Sequence, residues 1–354
     1  MRKLLLKRAP HNPRCPGPIV RSAEEDRILA QQWLSCLSVP HLLSGRSEEA
    51  KDFQPRFLSS GIVNYVNQCL GLLYFVDNGP GASLVWNPYT KAQRYIPPPT
   101  RADVLHTPEV GYTYNVTSCF GYDPRSGAFK VLKYVNHVPQ IIEEDGIAYD
   151  NGPDEEQYLL YSTQTNRWVD FPCPEFSYQL EHGSVYLNGC GFWIGFGGDI
   201  VVSFSFLDEN FSSFPLNIPT LNRRDHGYRV IMVEVDEENA LGFVVYKESH
   251  FQFWTCVINS EPDDGGCEWL KRWEFCVDFP EECGTSSLFT AVKGRPLLVY
   301  ENGDELVMFM VNLNDQLMVY SSAAKELKLL SLFSYPRALQ LISYHETSID
   351  PNSV

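Results

Sequence analysis

The sequence lacks the apolar segments that carry a protein into or across a membrane. No apolar run approaches the roughly 18 to 20 residues of a membrane span. The first seven residues, MRKLLLK, are basic but hold only three consecutive leucines, too few for the apolar part of a secretory signal. We therefore expect a cytoplasmic or nuclear protein with no membrane partner, whose ten cysteines are mostly buried free thiols.

Positive charge is scarce in most of the chain. Residues 61–354 hold 18 Lys and Arg against 38 Asp and Glu, whereas residues 1–60 hold 10 against 6. A domain that is this acidic repels the phosphate backbone of nucleic acids. The composition therefore predicts no nucleic-acid partner and favours basic ones.

Sequence signatures of catalysis and metal binding are also missing. The eight histidines form no HExxH pattern, and the cysteines at 256, 267, 276 and 283 do not have zinc-site spacing. No GxSxG or Walker motif is present, and the glycines of residues 189–195 lack the spacing and the following helix of a dinucleotide loop. We therefore expect a protein that is not an enzyme, with no catalytic, cofactor-binding or metal-ligating residues, although a triad assembled in space leaves no local pattern.

Turn-forming residues, in contrast, are abundant. The 24 glycines and 24 prolines break the chain into short pieces and disfavour long helices. Residues 69–99 show the resulting pattern, since two strands, a turn and a third strand are predicted there before three prolines. In the first of these strands apolar residues alternate, as in a strand with one buried face: Leu70, Leu72, Tyr74 and Val76.

This hairpin pattern recurs along the chain. The aromatic residue before each turn repeats at intervals of 36, 39 and 43 residues, at Trp86, Tyr122, Tyr161 and Phe204. Such intervals are typical of four-stranded propeller blades. We predict an all-β fold, a β-propeller-like array of about six repeated four-stranded blades over residues 61–346. Because the period is loose, a β-sandwich is the alternative.

The first 60 residues do not follow the hairpin pattern. We predict a loose tail over residues 1–26, a linker over 46–60 and a C-terminal tail over 347–354. Between the first two, residues 27–45 place apolar side chains near helical spacing, among them Trp33 and Leu37, with Pro40 as a stop. A short helix is therefore expected there, which either packs on the main domain or docks on a partner.

Acidic runs lie between the predicted strands. Solvated loop tips explain them, but two or three runs on one rim of a propeller would form a docking surface for a basic peptide. The runs are 143–145, 154–156, 234–238, 261–264 and 281–282.

An ordered set of motifs over residues 65 to 345 resembles the kelch-like F-box-associated domain of plant F-box proteins. Residues 69–73, CLGLL, are similar to its C-N-G-L-L with leucine in place of asparagine. Residues 86–90, WNPYT, resemble its N-P-x-T turn, and residues 97–99, PPP, its L-P-P stop. Residues 120–124, FGYDP, and 129–131, FKV, resemble its F-G-Y-D and Y-K-V elements.

The family's N-terminal F-box is matched only by residues 32–40, QWLSCLSVP, which resemble its end, and its front half is not visible. The resemblance implies a substrate-recognition subunit of a Skp–cullin–F-box ubiquitin ligase. Trp33, Leu37 and Pro40 would then bind a Skp-type adaptor, which in turn binds a cullin, and the C-terminal domain would hold an unidentified protein target. The alternatives are a stand-alone propeller that binds a protein or glycan, and a propeller enzyme with polar residues at its central channel.

Overall fold

The computed structural model describes residues 3–8, 33–38, 51–53, 63–77, 83–99, 112–142, 148–150, 155–174, 179–180, 183–195, 198–219, 221, 227–235, 240–258, 267–279, 294–302, 305–312, 317–329, 338–344 and 347–352. All regular structure in these ranges is β-strand, and none of it is helical. Correspondingly, these residues include no helix with the length and apolar character needed to cross a membrane.

The described strands are numbered in chain order. They are β1 (Lys3–Arg8), β2 (Trp33–Ser38), β3 (Lys51–Phe53), β4 (Val63–Cys69), β5 (Leu72–Asp77), β6 (Ser83–Trp86), β7 (Gln93–Ile96), β8 (Tyr112–Asp123), β9 (Ala128–Ile142), β10 (Ala148–Asp150), β11 (Glu155–Ser162), β12 (Arg167–Phe171), β13 (Val185–Leu187), β14 (Cys190–Ile194), β15 (Ile200–Ser205), β16 (Asn210–Pro215), β17 (Arg229–Val233), β18 (Ala240–Lys247), β19 (His250–Val257), β20 (Glu268–Cys276), β21 (Gly294–Asn302), β22 (Glu305–Asn312), β23 (Leu317–Ser321), β24 (Glu326–Leu329) and β25 (Ala338–Tyr344).

These strands form antiparallel sheets that we name blades. Blade I is β4–β7, blade II is β8–β12, blade III is β13–β16, blade IV is β17–β20, blade V is β21–β24, and blade VI is β25 followed by β1–β3. Five of the blades have four strands, whereas the sequence predicted about six such blades. The remaining sheet, blade II, is a four-stranded meander in which β10 adds a fifth strand at the far end of β9.

Contacts between the inner strands run around a closed ring. Strand β4 contacts β8, β8 contacts β13 and β14, β14 contacts β17, β17 contacts β21, β21 contacts β25, and β25 contacts β4. The blades therefore surround a common axis in chain order, which confirms the all-β propeller and not the sandwich. Each blade is a meander, so the turn between its first and second strands lies at the same end of the axis as the turn between its third and fourth strands. We call this end of the propeller the turn face.

The core lies between neighbouring blades. Tyr74 and Val85 of blade I pack against Phe120 and Leu159 of blade II, and similar apolar layers join blades II to III, III to IV and IV to V. The middle strands are thus covered on both faces, which explains the continuous buried run Leu72 to Phe75 where the sequence predicted alternation. Leu70, assigned to that strand from the sequence, lies instead in the turn before it.

Blade VI joins the two ends of the described chain and differs from the prediction at the described residues 3–8, 33–38 and 51–53. Strand β1 pairs with β25 on one side and with β2 on the other, and β2 pairs with β3. The helix expected over 27–45 is wrong at Trp33–Ser38, which is strand β2. Lys3–Arg8 and Lys51–Phe53, expected as tail and linker, are also strands. The strands of blade VI pair with partners that are distant in the sequence or separated by irregular intervals. No local periodicity of the sequence therefore predicts these strands.

Candidate protein-binding face

Several of the residues that carry the family-like motifs lie in the interior. Trp86 is 1% exposed and Asn87 is fully buried. The Asn87 side-chain oxygen accepts hydrogen bonds from the backbone N–H groups of Tyr89 (2.8 Å) and Thr90 (3.1 Å), which closes the turn between β6 and β7. Its amide nitrogen donates to two carbonyls further along the chain, at 2.9 and 2.7 Å. Every hydrogen-bonding position of this amide is therefore used for structure.

A second motif position, Asp123, organises the turn between β8 and β9. Its carboxylate accepts hydrogen bonds from the N–H groups of Arg125 and Ser126 and from the Ser126 hydroxyl. Lys130 donates to it at 2.8 Å and also reaches Glu209 of blade III at 2.6 Å. Burial alone would raise the pKa of Asp123, but the hydrogen bonds from Lys130 and Ser126 outweigh it and hold that pKa well below its usual range.

The glycine of the same motif permits close packing between blades II and III. A Cβ atom on Gly121 would lie 2.2 Å from the ring of Phe206, so no other residue fits without moving that ring. The Lys130 ammonium also donates to the Phe206 carbonyl, at 3.1 Å. The motif thus joins two blades.

The axis of the propeller is bridged by polar contacts. The Asn67 amide exchanges two hydrogen bonds with the backbone of Phe120, at 2.8 and 2.7 Å, and so holds β4 to β8. Gln68 donates to Glu234 at 2.9 Å. Since blades I and IV lie opposite each other in the ring, the Gln68–Glu234 hydrogen bond spans the axis at the turn face.

Two large apolar side chains of blade I are exposed on the turn face. Leu70, in the turn between β4 and β5, is 47% exposed, and Tyr89, in the turn between β6 and β7, is 58% exposed. On the same face, Arg125 of blade II forms an exposed ion pair with Asp208 of blade III at 3.5 Å. Aromatic and apolar side chains bordered by charges are typical of protein-binding surfaces. We therefore take Leu70 and Tyr89 as the candidate protein-binding residues.

The backbone of Leu70 strengthens this assignment. Leu70 and Gly71 have φ values of 51° and 78°, the left-handed pair of a type I′ turn. The corresponding turn of blade III has Asn188 and Gly189 at 48° and 83°, a pair that adopts this conformation readily. Leucine is strained there and also exposes apolar surface, so local stability does not explain it. The substitution of leucine for asparagine in this turn is a sequence signal that could have identified this residue, but the alternation assigned to the strand obscured it.

The structure places two of the three sequence-predicted adaptor residues in a different blade from this exposed pair. Trp33 and Leu37 lie in strand β2 of blade VI, and Pro40 lies outside the described residues. The acidic runs also lie mostly outside them. In the part of the chain that is described, no three His, Cys, Asp or Glu side chains are grouped closely enough to hold a metal ion.

One further buried cation, Lys133, takes part in none of the contacts described above. Lys133 of β9 is 9% exposed, and its ammonium has no ion-pair or hydrogen-bond partner among the described residues. Burial lowers the pKa of this side chain to about 8. Lys133 therefore destabilises the folded state near neutral pH.

Comparisons with known proteins point to one family. Residues 46–348 match the sequence model described as the F-box associated beta propeller domain. No curated protein sequence matches the chain.

Three solved structures are among those that the chain resembles. TolB from Acinetobacter baumannii is 10% identical with a TM-score of 0.44, and the match covers 97% of this chain and 66% of that one, slightly less than two thirds. The SapL1 lectin in complex with alpha methyl fucoside is 9% identical with a TM-score of 0.42, over 85% of this chain and 87% of that one. AztD from Citrobacter koseri is 11% identical with a TM-score of 0.39, over 97% of both chains. At such identities these likenesses assign no function.

Proposed function

We propose that this chain, which belongs to the F-box associated beta propeller domain family, is a non-catalytic substrate-recognition subunit of a Skp–cullin–F-box ubiquitin ligase. In this role the propeller holds a target protein, and the adaptor and cullin bring the ubiquitin-loaded enzyme close to the target's lysines. Proximity and orientation supply the rate enhancement, so the chain needs no catalytic group of its own. The proposed setting is the cytoplasm or the nucleus.

The exposed pair Leu70 and Tyr89 is the observation that supports target binding at the turn face. Both side chains belong to blade I, and the turn that carries Tyr89 is held by hydrogen bonds from its backbone to the Asn87 side chain. A rigid turn loses little conformational entropy on binding, which favours such residues as anchors. The acidic domain favours a target with a basic surface around the apolar contact.

A substitution at Leu70 separates binding from folding. Leu70→Asn reproduces the turn of Asn188, so we expect it to raise the free energy of unfolding by up to about 1 kcal/mol while it removes the apolar contact. The matched control is Leu329→Asn, since Leu329 is 49% exposed but lies on the outer strand β24.

The assay is proximity labelling in cells with the full chain fused to a biotin ligase. We expect Leu70→Asn, and Leu70→Asn combined with Tyr89→Ser, to lose the same labelled proteins, and Leu329→Asn to retain them. Equal labelling by all variants would reject the turn face as the target site. If the chain is a ligase subunit, every variant is expected to label the adaptor and the cullin.

A stand-alone binding module is the second candidate function, and strand β2 favours it. Both edges of β2 are hydrogen-bonded within blade VI, to β1 and to β3, so Trp33–Ser38 is part of the propeller and is not a separate docking helix. If the chain is a stand-alone binding module, the adaptor is absent from the labelled proteins. The double variant Trp33→Ala with Leu37→Ala then labels the same proteins as the native chain. If this double variant loses adaptor binding but retains target labelling, Trp33 and Leu37 bind the adaptor. The contribution of Pro40 is tested in the same way.

A further inference from the structure

Residues 347–352 lie against blade I as an internal ligand. The carbonyls of Thr347 and Ile349 accept hydrogen bonds from the Asn87 amide, at 2.9 and 2.7 Å. The Pro351 carbonyl accepts from the Arg94 guanidinium at 3.2 Å. Three alternate carbonyls of the segment are therefore bound by two side chains of the blade.

Two apolar anchors accompany these hydrogen bonds. Ile349 packs against the apolar layer between blades I and II, and Pro351 is buried. Arg94 also donates to the Thr163 carbonyl of blade II at 2.9 Å, which fixes its guanidinium across the boundary of the two blades. These contacts define a groove, lined by Asn87, Arg94 and the blade I–II apolar layer, which we call the segment groove.

The recognition in this groove is of a kind that other peptides can satisfy. Three of the hydrogen bonds are accepted by backbone carbonyls, which every residue carries, so these contacts read the backbone and not the sequence. A fourth is donated by the Asn352 side-chain amide to the Gln93 carbonyl at 3.1 Å. Specificity then rests on an apolar residue followed two positions later by proline, as in Ile349 and Pro351, with a smaller contribution from the amide at Asn352.

The donors of the groove do not depend on the segment for their orientation. The Asn87 oxygen is fixed by the N–H groups of Tyr89 and Thr90, so its amide nitrogen stays directed at the groove if the segment leaves. The contact to Thr163 fixes Arg94 in the same way. Preorganised donors of this type bind a new peptide at low entropic cost.

We propose that the segment groove is a peptide-binding site, occupied in cis by residues 347–352, and that an extended peptide with an apolar residue two positions before a proline displaces them. This goes beyond the proposed ligase role, because it requires neither adaptor nor cullin. An attached segment competes at an effective concentration in the millimolar range, so the native chain binds such a peptide weakly until the segment is released.

The test uses the full chain and a fluorescent peptide with the sequence of residues 345–354, HETSIDPNSV. Ile349→Asp places a charge in the apolar layer and releases the segment, so we expect the peptide to bind this variant at least tenfold more tightly than the native chain. The matched control is Ser348→Asp, which adds the same charge at an exposed neighbouring position. Binding to it is expected to equal binding to the native chain.

The groove side of the contact is tested in the released variant. Asn87→Asp keeps the oxygen that closes the turn but replaces the donating nitrogen with an acceptor, so we expect it to abolish peptide binding to Ile349→Asp. A folded Ile349→Asp chain that binds the peptide no better than the native chain would overturn the proposal. A dimer of the native chain in light scattering would assign the bound segment to a second copy, and this would overturn occupancy in cis.

A measurement on the native chain covers the case in which Ile349→Asp does not fold. Excess peptide is expected to increase hydrogen exchange at the amides of residues 347–352 and to leave exchange in β6 unchanged. Unchanged exchange in the segment at saturating peptide would reject displacement. Loss of adaptor or target labelling has no bearing on these readouts, so a failure of the ligase proposal is distinguishable from a failure of this one.

Discussion

Replacing Lys130 with methionine tests how blades II and III are held together. The Lys130 ammonium lies 2.8 Å from Asp123 and 2.6 Å from Glu209. The side chains of Lys130 and Asp123 are only 8% and 6% exposed, whereas that of Glu209 is 45% exposed. Methionine fills a similar volume, so the change removes the charge with little effect on packing. It leaves the Asp123 carboxylate buried without its counter-ion.

The magnitude follows from what Asp123 retains. Removal of one partner from a buried ion pair typically costs about 3–5 kcal/mol. Asp123 keeps three hydrogen bonds from Arg125 and Ser126, so we expect the lower end, about 3 kcal/mol. Glu209 adds little because water solvates it once Lys130 is gone. A loss of this size is a substantial part of the about 5–15 kcal/mol that stabilises a typical domain.

The dependence on pH identifies the cause. The pKa of Asp123 is depressed in the folded chain, so the stability that it contributes is complete above its unfolded value of about 3.9 and is lost as the pH falls through the folded value. In Lys130→Met the same pKa rises, because burial is no longer opposed by the cation. The difference between native chain and variant is therefore largest at neutral pH and decreases as the pH is lowered towards 4.

Urea denaturation at several pH values, followed by tryptophan fluorescence, measures this difference. Lys328→Met is the control, since its ion pair with Glu326 is exposed and its loss is expected to cost less than about 0.5 kcal/mol. The double variant Asp123→Asn with Lys130→Met is expected to be more stable than Lys130→Met alone. A cost below about 1 kcal/mol for Lys130→Met, or a double variant no more stable than the single one, would refute the reasoning.

Three further substitutions test the packing of the blades by the same denaturation assay. Trp86→Ala removes a buried indole and is expected to destabilise the chain by roughly 3–5 kcal/mol, whereas an unchanged midpoint would show that Trp86 is not a core residue. Gly121→Ala drives a methyl group into the Phe206 ring and is expected to cost about 1–3 kcal/mol, with relief in Gly121→Ala combined with Phe206→Leu; an absence of relief would contradict the clash. Lys133→Met is expected to stabilise the chain by about 1–3 kcal/mol at pH 7, because the pKa of Lys133 is lowered to about 8 and the native chain gains stability only as the pH rises from that value towards 10.5. A gain that persists at pH 10.5 would show that packing, and not charge, is the cause.

Hairpins were readable from the sequence because each depends on neighbouring residues. The turns after Asp123, Ser162 and Ser205 lie where the turn-forming residues predicted them, and the strands on either side pair as expected. The alternation read in residues 70–76 was wrong in detail because Phe75 packs on the second face of β5, and burial on both faces leaves no period of two.

Long-range pairings were not readable. Strand β2 has apolar residues near helical spacing, and only its partners β1 and β3 make it a strand, which is a tertiary effect on local propensity. The candidate binding residues were missed for a related reason. Leu70 looks like a core residue in sequence, and only the φ of its turn and its exposure distinguish it from one.

The pairing of β1 with β25 also determines when the propeller can be completed. Strand β1 ends at Arg8 and its partner begins at Ala338, so a ribosome that makes about 5–20 residues per second needs on the order of 15 seconds to a minute to supply the second strand after the first. Through that interval one edge of β1 has no partner, and an open strand edge is a site of aggregation. Synthesis of this chain therefore includes a period in which this edge of β1 is open to aggregation, and a circular permutant that begins at β4 and joins β25 directly to β1 is expected to shorten it.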